Sequence, residues 1–230
     1  TGADVREVAR AIGTDTRIGS RFLDSGPGFG GSCFKKDILN LVYLSNYFNL
    51  PEVADFWESV VLLNKWHQHR ISKLIVKKLF GSISEKKISI LGFAFKANTN
   101  DTRESAAIQI CKDLIDEGAE LIIHDPKVDP KQISIDLGIH PLKDNGEKGK
   151  QKKSKFEGGW RFTKDIYKSF ECSDACLILT EWPEYSNIEW VKASKTMRMP
   201  AWVFDARSIA DKEKITNANL LFWRVGDGSK

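Results

Sequence analysis

Apolar positions in the first third of the chain recur at helical spacing, and beyond residue 81 they gather into short, nearly continuous runs. Asp4 to Ile12 carries apolar residues at helical spacing and ends at Gly13, a suitable cap. Asp37 to Phe48 predicts a second helix. After Leu50-Pro51 a third periodic stretch runs to about Phe80, with Pro51 acceptable in its first turn. Val53, Phe56, Trp57, Val60, Leu63, Ile71, Leu74 and Ile75 fall largely on one side of it. At 1.5 Å per residue this helix would be roughly 45 Å long. That is more than one small domain needs, and it suits a spine joining domains or subunits.

After Gly81 the period changes. Lys87 to Gly92 reads as a strand, Ser105 to Glu117 as an amphipathic helix closed by Gly118, and Glu120 to His124 as a second strand. Further strands read at Ala175 to Thr180, Ala201 to Asp205 and Leu220 to Arg224, with helical patterns between them. Short apolar strands alternating with helices predict a parallel sheet covered on both faces. The expected fold class is therefore α/β: a Rossmann-like parallel sheet over residues 81–230, preceded by an all-helical unit over residues 1–80 that ends in the long connecting helix.

Composition narrows the picture. The chain has 230 residues, 41% apolar and 29% charged, which fits a soluble globular protein. No apolar run reaches the roughly 18 residues of a membrane span, and no signal peptide opens the chain. The formal charge of +4 lies entirely in residues 142–156, where six lysines face two acids. This stretch interrupts the strand–helix alternation and reads as an inserted, solvated surface loop. It lacks interleaved aromatics, so no nucleic-acid partner is expected. Four scattered cysteines are too few for a disulfide framework and point to reduced thiols in a cytoplasmic protein. The chain starts without Met inside a helical pattern, as an excised piece of a longer protein would.

Two stretches carry candidate chemistry. Ser25-Gly26-Pro27-Gly28-Phe29-Gly30-Gly31-Ser32 packs four glycines and a proline into eight positions, permitting positive φ and close approach of backbone to a ligand. Cys33 follows directly, just ahead of a helix, with Lys35 and Lys36 alongside. A helix N-terminus and nearby cations both favour a thiolate, the form that attacks carbon. The competing reading, a small buried Cys, is the one given to Cys111 on its helix's apolar face and to Cys176 in a strand.

The second stretch, a strand ending at Gly92, a loop, a helix and a strand ending at Asp125, has the outline of a nucleotide-binding βαβ unit. Gly-x-Gly-x-x-Gly is absent, which disfavours a dinucleotide site of the usual kind. Lys96 and Arg103 instead place two cations beyond the strand's carboxyl end, as a phosphate-bearing ligand held by side chains would need. Surface pairing with Asp101 and Glu104 stands equally open. Cys172 and Cys176 have no second ligand pair nearby in sequence, and His67 and His69 face different sides of one helix, so no metal is expected. The seven tryptophans read as core and interface residues.

Gly28-Phe29-Gly30-Gly31-Ser32-Cys33-Phe34-Lys35-Lys36-Asp37, Gly92-Phe93-Ala94-Phe95-Lys96, Asp101-Thr102-Arg103-Glu104-Ser105, Asp125-Pro126-Lys127, Thr180-Glu181-Trp182 and Phe204-Asp205-Ala206-Arg207 occur in that order. Together they resemble the UDP-glucose/GDP-mannose dehydrogenase family, and within it the members that act on UDP-glucose. The resemblance covers nearly the whole chain and corresponds to the family's carboxyl-terminal half, a central helical domain and a UDP-sugar-binding domain. It implies an NAD-binding Rossmann domain ahead of Thr1.

The implied reaction is the NAD-dependent two-step oxidation of UDP-glucose at C6 to UDP-glucuronate, through a cysteine thiohemiacetal and thioester. The resemblance makes Cys33 the nucleophile, with Asp37 helping to activate water. It sets Cys33, Lys36 and Arg103 beside the NAD cofactor. It sets Phe22, Asp24, Ser25, Gly26, Pro27 and Gly28 along the uridine and diphosphate path. Phe29 and Gly30 would stand on the sugar side, Phe95 and Lys96 would hold the sugar, and Arg207 belongs to a strand-end motif of the same site. Arg17 matches an arginine that reaches the substrate of a neighbouring subunit, which implies a homodimer or larger homo-oligomer. The alternatives are a relative acting on GDP-mannose or a UDP-N-acetylhexosamine, and a non-catalytic sugar-nucleotide-binding or assembly module. This chain alone is expected to bind sugar nucleotide weakly and to catalyse nothing.

Overall fold

The computed structural model describes residues 2–142 and 157–228; all but the first residue of the lysine-rich stretch lie outside these. Helix α1 (Val5–Ile12) begins where the Asp4 carboxylate accepts the Arg6 N–H at 2.9 Å. That guanidinium holds the Asp4 carboxyl down at about 2. Gly13 closes α1 but keeps a right-handed φ of −67° rather than the left-handed one common at such positions. Helix α2 (Phe34–Tyr47) starts three residues earlier than the apolar pattern indicates, because Cys33 itself is the N-cap.

Helix α3 (Pro51–Lys78) has 28 residues, about 42 Å of helix, with Pro51 in its first turn. Its apolar side divides in two. Ile71 and Ile75 are buried, whereas Val53, Phe56 and Leu63 are exposed.

Six strands form one parallel sheet: β1 (Lys87–Leu91), β2 (Glu120–His124), β3 (Gly159–Phe162), β4 (Ala175–Ile178), β5 (Trp202–Asp205) and β6 (Leu221–Arg224). Their order is β3-β2-β1-β4-β5-β6, and every neighbouring pair is parallel. This is the doubly wound arrangement, with its switch point between β1 and β4. Strand β3 escapes the hydrophobic pattern. It is a four-residue edge strand that follows the lysine-rich stretch, and Arg161 stands among its apolar residues, pairing with Glu120 on β2 at 2.9 Å.

The predicted strands at 87–92 and 175–180 end sooner. Gly92 turns at φ +94° after Leu91, and Thr180 leaves the ladder to hydrogen-bond the neighbouring loop. The predicted strands at 201–205 and 220–224 each begin one residue later than the pattern indicates, at Trp202 and Leu221.

The connections are α4 (Ala106–Asp116), α5 (Pro130–Leu137), α6 (Ile166–Ser169), α7 (Trp190–Ser194) and α8 (Lys212–Asn217), with a 3₁₀ turn at Pro183–Asn187. Strands β1 and β4 are buried along almost their full length. Ile88, Ile90, Leu121, Leu177 and Val203 share one core with Ile110 and Leu114 of α4, Trp190 of α7 and Ile215 of α8. Ile71, Ile75 and Leu79 belong to that same core, so the last turns of α3 are built into the sheet. Cys111 and Cys176 lie there too, and burial pushes both thiols well above their usual range. Trp160, Trp182, Trp190 and Trp223 are core residues, while Trp66 is exposed.

Candidate active site

Residues 25–33 cross from the helical part to the carboxyl ends of the strands, and both sides grip their backbone. From α3, the Asn64 amide accepts the Phe29 N–H at 2.9 Å and donates to the Phe29 carbonyl at 3.1 Å. His67, one turn further along, bonds the Gly26 carbonyl through Nε2 at 3.0 Å. From the sheet, the Arg103 carbonyl accepts the Gly31 N–H at 2.9 Å. Ser25 bonds Ser208 at 2.8 Å and donates to the Val225 carbonyl at 3.2 Å.

Glycine is required where this sandwich is tightest. Gly28 sits at φ +122°, and a Cβ there would lie 2.6 Å from Asn64 Oδ1. A Cβ on Gly30 would meet the Glu104 carbonyl at 2.5 Å.

The sandwich delivers Cys33 to the start of α2 beside the loop that follows β1. The thiol is exposed, and its hydroxyl neighbour Ser32 lies 3.7 Å away. Lys35 pairs with Glu104 at 2.8 Å. Arg103 pairs with Asp101 through Nε at 2.9 Å and Nη2 at 2.7 Å. Asp101, with a smaller contribution from Cys33, raises the Arg103 guanidinium above its usual value. Of the two surface pairs left open by the sequence, Arg103 thus takes Asp101, while Glu104 goes to Lys35. Lys36 and Asp37 are exposed in the first turn of α2, and the Asp37 N–H donates to the Cys33 carbonyl at 2.8 Å.

The sheet side of the crevice is equally tied. Asp125, just beyond β2 and buried, accepts the N–H groups of Phe93 (2.7 Å) and Ala94 (3.0 Å) on one oxygen and those of Lys127 and Val128 (2.9 Å each) on the other. This fixes the turn that presents Phe95 and Lys96, whose ammonium lies 5.3 Å from the Phe95 ring centroid. Arg207, just after β5, donates to the Leu179 carbonyl at 2.8 Å and the Phe95 carbonyl at 2.9 Å. Burial pushes its guanidinium down from the usual value, against the Glu181 carboxylate 3.3 Å away. Glu181 also accepts the Ala97 N–H at 3.1 Å. Phe95, Lys96, Glu181 and Arg207 therefore form one linked group at the switch point, with the glycine loop laid over it.

The structure brings together Ser25, Gly26, Pro27, Gly28, Phe29, Gly30, Cys33, Phe95, Arg103 and Arg207. It does not bring in Arg17 or Phe22. Arg17 is exposed and paired with Asp15 at 2.6 Å, and Phe22 projects fully into solvent at φ +62°. Asp24 is exposed beside them.

The sequence reading missed Asn64, weighed His67 only as a metal ligand, and took Glu181 only as part of its motif, with no role in the site. A signal existed for the first: Asn64 and Gln68 interrupt the apolar face that Trp57, Val60, Ile71 and Ile75 define, and a polar residue on such a face needs a partner.

The described residues do not make a dinucleotide cradle. The amides after β1 that would face a pyrophosphate are consumed by Asp125, and a Cβ on Gly92 would fall 2.3 Å from the Thr180 Cβ, so no hollow exists there. Among the described residues no group of three or more His, Cys, Asp or Glu could hold a metal ion. No described helix is long and apolar enough to cross a membrane.

Fold and site together define a doubly wound α/β protein of the nucleotide-binding class, with a solvent-facing thiol carried over its switch point by a clamped glycine loop. Family models agree on its membership. Residues 1–66 match the central domain of the UDP-glucose/GDP-mannose dehydrogenase family, and residues 89–212 match that family's UDP-binding domain. The chain belongs to the UDP-glucose/GDP-mannose dehydrogenase family.

It is similar to the UDP-glucose 6-dehydrogenase of Drosophila melanogaster, 47% identical over 226 residues, covering 98% of this chain and 46% of that protein. The Gallus gallus UDP-glucose 6-dehydrogenase is 47% identical over 211 residues, covering 92% of this chain and 41% of that protein. Among solved structures, a UDP-glucose dehydrogenase from Pyrobaculum islandicum superposes with a TM-score of 0.73 at 24% identity, covering 98% of this chain and 44% of its own. This last likeness shows the shared fold. The chain spans less than half the length of the curated relatives it matches.

Proposed function

We propose that this chain supplies the nucleophile and the sugar-nucleotide site of an NAD-dependent UDP-glucose 6-dehydrogenase. The observation that carries the reading is the position of Cys33: an exposed thiol at the start of α2, held over the crevice where open α/β sheets bind their ligands. The 47% identity to named UDP-glucose 6-dehydrogenases favours UDP-glucose over GDP-mannose or a UDP-N-acetylhexosamine. A purely structural module has no use for the clamped loop.

In this reading residues 1–80 form the central helical domain and residues 81–230 the UDP-sugar domain, with the last turns of α3 shared between them. The uridine diphosphate runs along residues 24–28, toward Arg207 and the fixed turn at Phe95 and Lys96. The sugar lies between Phe29, Gly30 and Lys96. NAD, carried by a domain of its own and met by Cys33, Lys36 and Arg103, would accept the two hydrides, one in each oxidation.

Once the C6 alcohol has given up its first hydride and its hydroxyl proton, the thiol of Cys33 adds to the resulting aldehyde, forming a C–S bond and a thiohemiacetal. Oxidation of that adduct leaves an acyl thioester on sulfur. Water, oriented by Asp37 one turn along α2, then cleaves the C–S bond, releasing the carboxylate of UDP-glucuronate and returning the thiol. Arg17, exposed here, reaches the substrate of a second subunit in a homo-oligomer. A free thiol nucleophile fits the reducing cytoplasm.

Cys33→Ser in the full-length protein tests the reading. UDP-glucuronate formation is expected to fall by at least ~10³-fold with the fold intact. Full turnover in that variant would remove the thioester chemistry.

A further inference from the structure

Asn64, like Gln68 one turn on, is a side-chain amide on a largely apolar face of α3, and both of its functional groups are committed to the backbone of one residue, Phe29. The amide orientation is forced: the Phe29 N–H at 2.9 Å needs an acceptor and the Phe29 carbonyl at 3.1 Å needs a donor. The pair reproduces two rungs of a sheet ladder, made by one side chain to an irregular loop. The loop is shaped to receive it, since Gly28 leaves the space beside Asn64 Oδ1 that a Cβ would fill at 2.6 Å. Phe29 lies four residues before Cys33, and its ring packs edge-on against Phe34 in the first turn of α2 at 4.7 Å between centroids. Fixing Phe29 therefore fixes the approach to the thiol from two directions.

The other anchors act elsewhere on the loop. Ser25 and Gly26 are held by Ser208, Val225 and His67, on the side assigned above to the nucleotide. The Gly31 amide is held by the Arg103 carbonyl. On the reading that Cys33 is the nucleophile, we propose that Asn64 is a positioning residue that sets the Cys33 sulfur relative to the sugar carbon, separately from the anchors that hold the nucleotide end of the loop. A thiol displaced by about 1 Å from its line of attack can lose on the order of 10²-fold in rate without loss of binding.

The full-length dehydrogenase carrying Asn64→Ala is compared with its parent and with Ile71→Ala, which opens a cavity in the sheet core on the same face of α3, two turns on. Asn64→Ala is expected to lower kcat for UDP-glucose by ~10–100-fold while KM moves less than about threefold. Amide hydrogen exchange over residues 25–33 is expected to become at least ~10-fold faster. Ile71→Ala should keep kcat within about twofold of the parent. Should the alanine variant fail to fold, Asn64→Asp carries the test: it keeps the acceptor for Phe29 N–H, loses the donor, and is expected to lower kcat by more than ~3-fold.

A kcat within twofold of the parent for Asn64→Ala, a fall confined to KM, or an equal fall in Ile71→Ala would overturn the proposal. Failure of the functional reading itself would look different. The parent would then show no oxidation of UDP-glucose, and unchanged exchange over residues 25–33 in the Asn64 variant would still count against the clamp.

Discussion

His124 shows how a single side chain in this fold acquires a pH signature. It ends β2 next to Asp125, buried, with Nδ1 3.0 Å from the Tyr185 hydroxyl. That hydroxyl has one proton and gives it to the His124 carbonyl at 3.1 Å, so Nδ1 of the neutral ring is the donor of the pair. Burial lowers the imidazole below its ordinary 6.5, against the pull of Glu184, 3.8 Å from Nε2, and of Asp125. A histidine held neutral in the fold binds its proton later than in the unfolded chain. Its contribution to stability is therefore complete above pH 6.5 and is lost as pH falls from 6.5 toward the lower folded value. Urea midpoints measured between pH 7.5 and 5 are expected to decline more steeply for the native sequence than for His124→Asn, which keeps a donor near Tyr185 but cannot titrate. Equal slopes would show that His124 is not the group responsible.

At the scale of elements, the junction between β1 and β4 carries the greatest geometric demand. Gly92 turns the chain at φ +94° out of β1, and the space where its Cβ would stand is occupied by Thr180, 2.3 Å away. Thr180 cannot retreat, because its hydroxyl donates to the Ala94 carbonyl at 2.6 Å. Gly92→Ala is expected to cost about 3 kcal/mol of stability, from backbone strain and displaced packing together, read as a lowered denaturation midpoint.

The strands on either side of this junction were legible in the sequence, because central parallel strands are continuous apolar runs. Strand β3 was not, because an edge strand with an arginine in four residues leaves no such run. Helix α3 was legible in extent, and so was the placement of Cys33 ahead of α2. What the pattern could not give was the clamp. Asn64 stands 35 residues from Phe29 in sequence, and only the packed fold shows which loop a polar residue on an apolar face will reach. The twin role of Asp125, ending one strand while fixing the turn after another, is likewise a property of strand order.

Across the whole molecule the apolar surface is unevenly shared. Among the described residues, 23 large hydrophobic residues stand exposed and 18 of them lie in the first 80 positions, so the sheet is nearly closed and the helical part is not. Large apolar residues left exposed in such number point to a protein contact. On α3, Leu62 and Trp66 lie on the side opposite Asn64, since two residues along a helix turn through about 200°. One face of the helix thus holds the thiol loop while the other is left uncovered. The proposed occupant is a second copy of this chain, because a long helix meeting its own two-fold mate is self-complementary, and because Arg17 and Phe22 stand exposed on the same helical part. The double variant Leu62→Glu, Trp66→Glu in the full-length protein is expected to halve the mass seen by sedimentation equilibrium while leaving the helical content unchanged. Its kcat should fall with the mass, because α3 without its mate loses the support that keeps Asn64 on Phe29. An unchanged mass would refute this interface. A halved mass with full kcat would keep the interface and sever it from the thiol loop.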